Sequence, residues 1–499
     1  MLFRVTLSLI FVFLLPMFLS INGSKEFRLG RSKGGNLGAP AEYAGENLPP
    51  AQWFQQKLDH SSPTDQRVWE QRYFVNDSFY NNKTGPIFLM VGGEGPANPM
   101  WMTKGAWITY AKKFKALCIM LEHRYYGESH PTKDMSTKNL EYLSSFQALA
   151  DIANFVDAMN VKYENKRQLK WVAFGGSYPG SLVAWLRVKY PHLIFMSVSS
   201  SGPLLAKLDF QEYFEVVQNA LLEKTSSKDC TNKIKAAHRQ IVSLMQTNPS
   251  VLDDEFRTCK PLENASRNDI RNFFNGIAND VAGLVQYNED NRITNDYTYN
   301  NLTINSVCDM LTEYKNNTPA YKALASFNSM ILDQNNETCM DYSYDNMIQE
   351  LRNVTWDSSE GGRQWMYQTC TEFGFYQTST GEEEMFGNEF SLDFFIQQCI
   401  DVFGKNFNEA FIKAGISWTN MDYGALAIRA TRVIFVHGSV DPWHALGMRT
   451  TAINESPVIY IPGTAHCADM YPARDSDLPE LTRARDTIES RLAQWLQLP

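Results

Sequence analysis

Short runs of apolar residues alternate with segments of helical periodicity in two separate parts of the chain. A parallel strand is covered on both faces, so it reads as a continuous apolar run of about four to eight residues. The runs in the first part start at Pro86, Ala116, Trp171 and Phe195, and those in the second part start at Thr431 and Pro457. Because helical segments lie between successive runs, the pattern predicts an α/β fold with a mostly parallel sheet.

Other patterns stand before and after these strands. Residues 54–60 and 69–74 read as two strands around a turn rich in Ser, Pro and Asp at residues 61–65, which predicts a hairpin at a sheet edge. Residues 480–498 have apolar positions at helical spacing, which predicts an amphipathic helix that closes the chain.

The stretch between the two parts, residues 205–417, differs in character. It is rich in Asn, Tyr, Phe and amphipathic helical segments, and it holds six of the eight cysteines. We interpret it as a helical cap, stapled by disulfides, that is inserted into a core formed by residues 51–204 and 418–499. The cysteine count alone leaves the pairing open. Cys118 and Cys467 lie outside the cap.

The amino-terminal end predicts a secreted chain. Residues 1–20 carry Arg4 ahead of an apolar run, which is the pattern of a signal peptide. Residues 21–50 are Gly-rich and mixed in charge, without hydrophobic periodicity, so they predict a flexible lead-in or a propeptide. No later run reaches the roughly 18 consecutive apolar residues of a spanning helix, so no stable membrane insertion is expected.

Composition and charge narrow the classes of partner. The chain has 44% hydrophobic residues, which suffices for a large core, and a net charge of -9. An acidic protein is repelled by nucleic acid and by anionic membrane surfaces, so neither is expected as a partner. Acceptor sequons for N-glycosylation fit a luminal chain. They stand at Asn76, Asn82, Asn264, Asn301, Asn316, Asn336, Asn353 and Asn454.

The stretch Trp171–Gly180 predicts a strand, a sharp turn and a helix, with Ser177 on the turn. A serine on such a turn has a strained backbone and an exposed hydroxyl, and close packing there requires glycine neighbours. The motif departs from the usual G-x-S-x-G, because Pro179 precedes the second glycine. A turn without chemistry is the alternative, and the rest of the chain has to decide between the two readings.

Two further candidates follow late strands. Asp441 and His466 each come just after a predicted strand, where catalytic groups gather in parallel sheets. The order Ser177, Asp441, His466 is that of the α/β-hydrolase triad. We expect His466 to act as the general base and Asp441 to orient it.

The remaining candidates concern the oxyanion and metals. We predict that the oxyanion meets the backbone N–H of Tyr178 and one from Gly93 or Glu94. The spacing of His437, Asp441 and His444 fits no closed zinc site, so neither a metal nor a cofactor is expected. A catalytically inactive hydrolase-like binding protein and an esterase are two functions that this fold and residue order leave open.

Five separated motifs resemble the prolylcarboxypeptidase and dipeptidyl-peptidase II family of serine peptidases. They are Trp69-x-Gln-Arg-Tyr73, Glu122-His-Arg-Tyr-Tyr-Gly-Glu-Ser129, Gly175-Gly-Ser-Tyr178, Tyr367-Gln-Thr-Cys-Thr-Glu372 and Asp441-Pro-Trp443. The segments from Gly180 to Arg187 and from His192 to Phe195 are most similar to its thymus-specific branch. Cys467 departs from the pattern, because the best-known exopeptidases have a second histidine there.

The resemblance implies an α/β-hydrolase core with an inserted helical cap, and cleavage of short peptides after proline near a chain end. It carries Ser177, Asp441 and His466 over as the triad and Trp443 as a wall of the proline pocket. It also implies the disulfides Cys230–Cys308, Cys259–Cys339 and Cys370–Cys399. The expected location is lysosomal or extracellular, the expected partners are peptide substrates, and the formation of a homodimer is left open.

Overall fold

The structure, a computed structural model, describes residues 28–32, 34–40, 47–163, 169–289, 302–313, 318–356, 361–381, 385–451 and 453–497. The strands of these residues, in chain order, are β1 (Gln52–Lys57), β2 (Val68–Asn76), β3 (Ile87–Val91), β4 (Leu117–Leu121), β5 (Trp171–Gly176), β6 (Met196–Ser200), β7 (Lys207–Asp209), β8 (Gly374–Tyr376), β9 (Val433–Gly438) and β10 (Val458–Ile461). All but β7 and β8 form one sheet.

The large sheet has the strand order β1-β2-β4-β3-β5-β6-β9-β10. β1 pairs antiparallel with β2, and β2 pairs antiparallel with β4. All the other pairs in this sheet are parallel. The α/β class and the edge hairpin predicted from the sequence are therefore confirmed. The central strands β3 to β6 and β9 are buried along their whole length, which explains their continuous apolar runs.

The α-helices, in chain order, are α1 (Ala106–Phe114), α2 (Ser145–Tyr163), α3 (Tyr178–Lys189), α4 (Glu212–Thr225), α5 (Asp229–Thr247), α6 (Ser250–Phe256), α7 (Arg267–Gln286), α8 (Ile304–Glu313), α9 (Ala320–Gln334), α10 (Tyr344–Arg352), α11 (Gly362–Gln368), α12 (Leu392–Phe403), α13 (Glu409–Tyr423) and α14 (Pro479–Leu496). α2 and α3 pack in one hydrophobic cluster with one face of the sheet, and α1 and α14 pack in a second cluster with the other face. Side chains of a strand alternate between faces, and those of β3 divide between the two clusters accordingly.

The cap comprises α4 to α13 with the two-stranded sheet of β7 and β8, and it leaves the core after β6 and returns before β9. Its disulfides are Cys230–Cys308, Cys259–Cys339 and Cys370–Cys399, which are the pairs that the resemblance implied. Cys118 and Cys467 are buried and unpaired. Most helices of the cap share the hydrophobic cluster of α2 and α3, so the cap lies on that side of the molecule.

Two boundaries differ from those predicted. α13 continues to Tyr423, beyond the predicted end of the cap at residue 417, because the Tyr423 ring stacks on Trp185 of the core with ring centroids 4.1 Å apart. The described part of the lead-in is not a flexible segment separate from the fold. Arg31 and Asn36 are buried, because hydrogen bonds to core and cap hold this segment in the absence of hydrophobic periodicity.

No helix in the described ranges is long and apolar enough to cross a membrane. The predicted signal peptide, residues 1–20, lies outside those ranges.

Candidate active site

Ser177 lies on the turn between β5 and α3, and its backbone is strained. Its φ of 64° and ψ of -134° are unusual for a residue with a side chain. Close packing of the turn explains the neighbouring glycines, because a Cβ on Gly175 would lie 2.2 Å from the Pro179 carbonyl oxygen. This is the geometry of a nucleophile elbow. Pro179 is accommodated within the first turn of α3, where a proline loses no hydrogen bond, so its departure from the usual motif leaves the elbow intact.

Asp441 and His466 form a hydrogen-bonded pair behind this turn. The His466 Nδ1 lies 2.8 Å from the Asp441 Oδ1, and both side chains are fully buried. Asp441 ends the loop after β9, and its Oδ1 also accepts the backbone N–H of Trp443 at 3.0 Å. Burial opposes ionisation of both groups, but the Asp441 carboxylate raises the pKa of His466 and the imidazole lowers the pKa of Asp441. The Asp441 carboxylate therefore stabilises the positive charge that the imidazole acquires when its Nε2 takes up a proton.

The turn of Ser177 and the loop of His466 are packed together. A Cβ on Gly176 would lie 2.9 Å from the Cys467 Sγ, and the backbone N–H of Cys467 donates to the Ser201 Oγ at 2.9 Å. The His466 Nε2 is buried, and none of the residues that the structure describes forms a hydrogen bond with it. The Ser177 Oγ instead accepts a hydrogen bond from the Asn36 Nδ2 at 3.1 Å.

The predicted oxyanion residues lie on two elements that meet at the Ser177 turn. Tyr178 is the first residue of α3, and the N–H groups of a first helical turn have no partner within the helix. The loop after β3 packs on that turn, since a Cβ on Gly93 would lie 2.2 Å from the Pro179 Cγ. Glu94 is buried beside them, and its Oε2 has no hydrogen-bond partner among the described residues.

Trp443 lies on the turn that follows Asp441 and is buried. Its Nε1 donates to the Gln286 Oε1 at 2.9 Å. Three aromatic rings of the cap, those of Phe210, Tyr213 and Phe375, surround the indole with centroids 5.2–5.9 Å away. The residue predicted as a pocket wall is therefore held by the cap on one side and by the loop of Asp441 on the other.

The cap supplies site residues that sequence reasoning missed. The Gln286 carbonyl, at the end of α7, accepts the backbone N–H of His466 at 3.0 Å. The Tyr287 ring centroid lies 6.4 Å from that of His466. The Gln368 side chain joins the hydroxyls of Tyr126 and Tyr178 at 2.7 and 3.2 Å. Gln368 lies in the Tyr367–Glu372 motif, which was a usable signal, whereas nothing in the local sequence marks Gln286.

The Glu122–Ser129 motif has a structural role. The Glu122 carboxylate accepts hydrogen bonds from Arg72, from the backbone N–H of Ala97 and from the Ser129 hydroxyl. His123 contacts the Tyr178 hydroxyl through Nε2 at 3.1 Å, and burial lowers its pKa to about 4. This histidine is therefore a neutral part of the scaffold.

The predicted glycosylation sites differ in accessibility. Five of them are exposed: Asn82, Asn264, Asn336, Asn353 and Asn454. Asn76 is half-buried, and its Nδ2 donates to the Met102 carbonyl at 2.7 Å. Asn301 and Asn316 lie outside the described residues. The described residues contain no group of three or more His, Cys, Asp or Glu side chains suited to a metal.

Comparison with known proteins adds independent information. The sequence model of the family described as serine carboxypeptidase S28 matches residues 56–488. The thymus-specific serine protease of Mus musculus is 35% identical over 460 residues, which cover 90% of this chain and 88% of that protein. The lysosomal Pro-X carboxypeptidase of Homo sapiens is 26% identical over 462 residues, which cover 89% and 88%.

Proposed function

Because the chain belongs to the serine carboxypeptidase S28 family, we propose that it cleaves short peptides on the carboxyl side of proline near a chain end. The reaction uses Ser177, Asp441 and His466 and passes through an acyl-enzyme. The observation that carries the proposal is the buried Asp441–His466 hydrogen bond of 2.8 Å beside a serine with a φ of 64°. A serine on a strained turn and a carboxylate-oriented imidazole are the parts of a nucleophilic hydrolase.

In the first step His466 Nε2 takes the proton of the Ser177 hydroxyl while Oγ attacks the peptide carbonyl carbon. The Asp441 carboxylate fixes the tautomer with Nδ1–H and stabilises the imidazolium that forms. The oxyanion accepts hydrogen bonds from the backbone N–H of Tyr178 and from the loop of Gly93 and Glu94, donors worth about 3 kcal/mol each in such sites. The imidazolium then protonates the leaving amine, and the C–N bond breaks.

In the second step water replaces the amine. His466 removes a proton from the water, whose oxygen attacks the acyl-enzyme carbonyl, and the Ser177 oxygen leaves with the proton returned by His466. The product is a free carboxylate on the proline side of the cut. No cofactor is needed, because every proton moves between Ser177, His466 and the substrates.

The surroundings of Trp443 favour proline at the cut. Proline lacks an N–H and has a flat, apolar ring with fixed φ. A rigid pocket wall such as the Trp443 indole matches that ring and requires little polar recognition. The ring is fixed by its hydrogen bond to Gln286 and by the backbone hydrogen bond to Asp441.

The position of the cap favours a short peptide over a folded protein. Two cap residues form hydrogen bonds with core elements of the site: the Gln286 carbonyl accepts the backbone N–H of His466, and the Gln368 side chain donates to the Tyr178 hydroxyl. A folded chain cannot pass a nucleophile that is covered in this way, whereas an unfolded peptide end can reach it. The name of the lysosomal Pro-X carboxypeptidase, to which this chain is similar, supports cleavage next to proline near a chain end.

A location in the secretory pathway, lysosomal or extracellular, completes the proposal. Three disulfides form and persist in oxidising compartments and are rare in the cytosol. The exposed sequons Asn82, Asn264, Asn336, Asn353 and Asn454 fit glycosylation in that lumen. Peptide mapping of the secreted protein with and without glycosidase treatment tests these sites individually.

The test uses purified secreted protein and matched Ser177→Ala protein. A fluorophosphonate probe should label the wild type and not the variant, which distinguishes an enzyme from an inactive binding protein. A panel of peptides with proline or leucine at the cut then reports which residue is preferred. Versions of each peptide that are blocked at the amino or the carboxyl end report which end is recognised. Ester substrates are measured in parallel. Turnover of esters without peptide cleavage, or equal cleavage after leucine, contradicts the proposal.

A further inference from the structure

The lead-in, predicted as a flexible segment or a propeptide, is docked in the candidate active site. We use "docked segment" for residues 28–32 and 34–40. Arg28 and Arg31 exchange two backbone hydrogen bonds of 2.9 and 3.0 Å, and Leu29 and Gly30 between them have φ values of 49° and 64°. Both central residues therefore have the positive φ of a tight turn. The tip of this turn, Leu29 and Gly30, points into the cleft between core and cap.

The tip is bound through its backbone carbonyls. The Gln286 Nε2 donates to the Gly30 carbonyl at 3.0 Å, and the Trp365 Nε1 donates to the Leu29 carbonyl at 3.3 Å. Gly30 lies against the indole of Trp443, since a Cβ added to Gly30 would be 2.4 Å from the Trp443 Cζ2. The segment thus fills the space beside the predicted proline pocket and uses side-chain donors that suit any peptide backbone.

A second contact joins the docked segment to the nucleophile. The Asn36 amide is buried, its Nδ2 donates to the Ser177 Oγ at 3.1 Å, and its Oδ1 accepts the Tyr287 hydroxyl at 2.9 Å. These two hydrogen bonds direct the NH₂ group of the amide towards Ser177 and its oxygen towards Tyr287. The His466 Nε2 meanwhile has no hydrogen-bond partner in the described ranges.

The segment also covers the predicted oxyanion loop. The Arg31 Nε donates to the Glu94 carbonyl at 2.8 Å, and the Asn36 backbone N–H donates to the Glu94 Oε1 at 3.3 Å. The Tyr471 hydroxyl holds the far end of the segment by donating to the Gly38 carbonyl at 2.9 Å. Nucleophile, oxyanion loop and pocket wall are therefore all occupied by one segment of the same chain.

We infer that the docked segment is an intramolecular inhibitor that occupies the peptide-binding cleft, and that the enzyme becomes active when this segment is released. The inference rests on the proposed function, because it assigns the occupied cleft to peptide substrates. A substrate and the docked segment require the same Gln286 donor, the same face of Trp443 and the same Ser177 hydroxyl, so only one of them binds at a time. Gln286 and Trp365 are accordingly assigned as donors to the substrate backbone.

A cut between the docked segment and β1 would allow the segment to leave the cleft. Asn47, Pro50 and Ala51 are exposed and lie outside helices and strands, so this stretch is accessible to a protease. The experiment places a recognition sequence for a site-specific protease between Leu48 and Pro49 of the full chain. Mass spectrometry first establishes that the secreted protein retains residues 28–40.

Labelling of Ser177 by a fluorophosphonate and turnover of a proline peptide are measured before and after the cut. Both rates should rise about tenfold or more after the cut, a factor equivalent to 1.4 kcal/mol. A synthetic peptide of residues 28–40 should lower both rates again, and a peptide of scrambled sequence should not. Equal rates before and after the cut, with a labelled and active protein, overturn the inference while the proposed function stands. Absence of labelling and turnover in both states contradicts the proposed function and the inference together.

A substitution gives the same test without a cut. Gly30→Val places a branched side chain where Trp443 and Gln377 leave no room and in a backbone conformation that valine disfavours, so it should expel the turn. The intact variant should be labelled about tenfold faster than the wild type, and the matched Asn47→Val variant should not differ from it. Unchanged labelling in Gly30→Val contradicts the inference.

Discussion

The core and the cap contribute to the same site in different ways. In the core each chemical group follows its own strand of the large sheet: Ser177 follows β5, Asp441 follows β9 and His466 follows β10. In the cap the contributing groups, Gln286 and Gln368, stand at the carboxyl ends of two helices, α7 and α11, that are far apart in the chain. The chemistry is thus encoded by short local patterns, whereas access to it depends on the packing of distant segments.

The largest loss of activity should come from substitutions of the core residues Ser177, His466 and Asp441. Ser177→Ala or His466→Ala should lower peptide turnover by about 10⁴-fold or more, because members of a triad act as a unit. Asp441→Asn should cost somewhat less. Thermal unfolding should stay close to that of the wild type in Ser177→Ala. Activity within tenfold of the wild type in that variant would rule out the mechanism.

Removal of a cap disulfide should destabilise the cap without abolishing the reactivity of Ser177 in the core. Cys259 is exposed and Cys339 half-buried, so replacing both with alanine creates little cavity. Their disulfide spans 80 residues, and in the chain-entropy model its loss lowers the free energy of unfolding by about 4 kcal/mol. Urea unfolding measures this change. With the lead-in cut, the variant should still be labelled at Ser177 by a fluorophosphonate, and loss of labelling at temperatures where the core stays folded would contradict the division between core and cap.

The junction of cap and core should respond to pH through Glu372. This buried cap residue accepts the backbone N–H and the hydroxyl of Ser145, the first residue of core helix α2. Burial raises its pKa from 4.5 to about 7. Between these values the folded protein holds a proton that the unfolded chain has lost, so the free energy of unfolding falls as the pH rises.

The Glu372→Gln variant removes this contribution. The decrease in the free energy of unfolding between pH 4.5 and pH 7.5 should be smaller in the variant than in the wild type, by an amount on the order of 3 kcal/mol. The comparison concerns the change with pH, so an altered absolute stability of the variant does not disturb it. Equal pH dependence in the two proteins would show that Glu372 is ionised in the folded state.

The smallest predicted effect concerns selectivity. Trp443→Phe removes the hydrogen bond to Gln286 and part of the pocket wall, and it should lower the ratio of kcat/KM for proline over leucine peptides by about tenfold. Trp185→Phe is the matched control, because Trp185 is equally buried but stacks on Tyr423 away from the triad. A change in selectivity of the same size in both variants would contradict the assignment of Trp443 to the proline pocket.

Much of the core could be predicted because its signals are local. The apolar runs of β3 to β6 and β9 follow directly from burial on both faces, and the turn at Ser177 follows from the glycines that its packing requires. The hydrogen bond between Asp441 and His466 joins residues 25 positions apart, and the positions of both after strands predicted their proximity.

The position of the lead-in, the role of Gln286 and the end of the cap depend on contacts between distant residues, which no local sequence pattern indicates. Asn36 and Ser177 are 141 residues apart, and the lead-in has no apolar stripe, because it is held mainly by hydrogen bonds to its backbone. Gln286 is the last residue of α7, and the apolar periodicity of that helix indicates packing within the cap but not the contact with His466. The end of the cap was placed too early because the helix containing residue 417 continues without a break to stack Tyr423 on Trp185.

Gln286 also restricts how a substrate can arrive. Its carbonyl accepts the backbone N–H of His466, while its side chain binds both Trp443 and Tyr213. These hydrogen bonds join the cap to the loop of His466 and to the indole of Trp443, so an outward movement of the cap would also displace the proposed base and the proposed pocket wall. Under the proposed function we therefore expect the width of the passage, and not an opening motion of the cap, to determine which peptides reach Ser177.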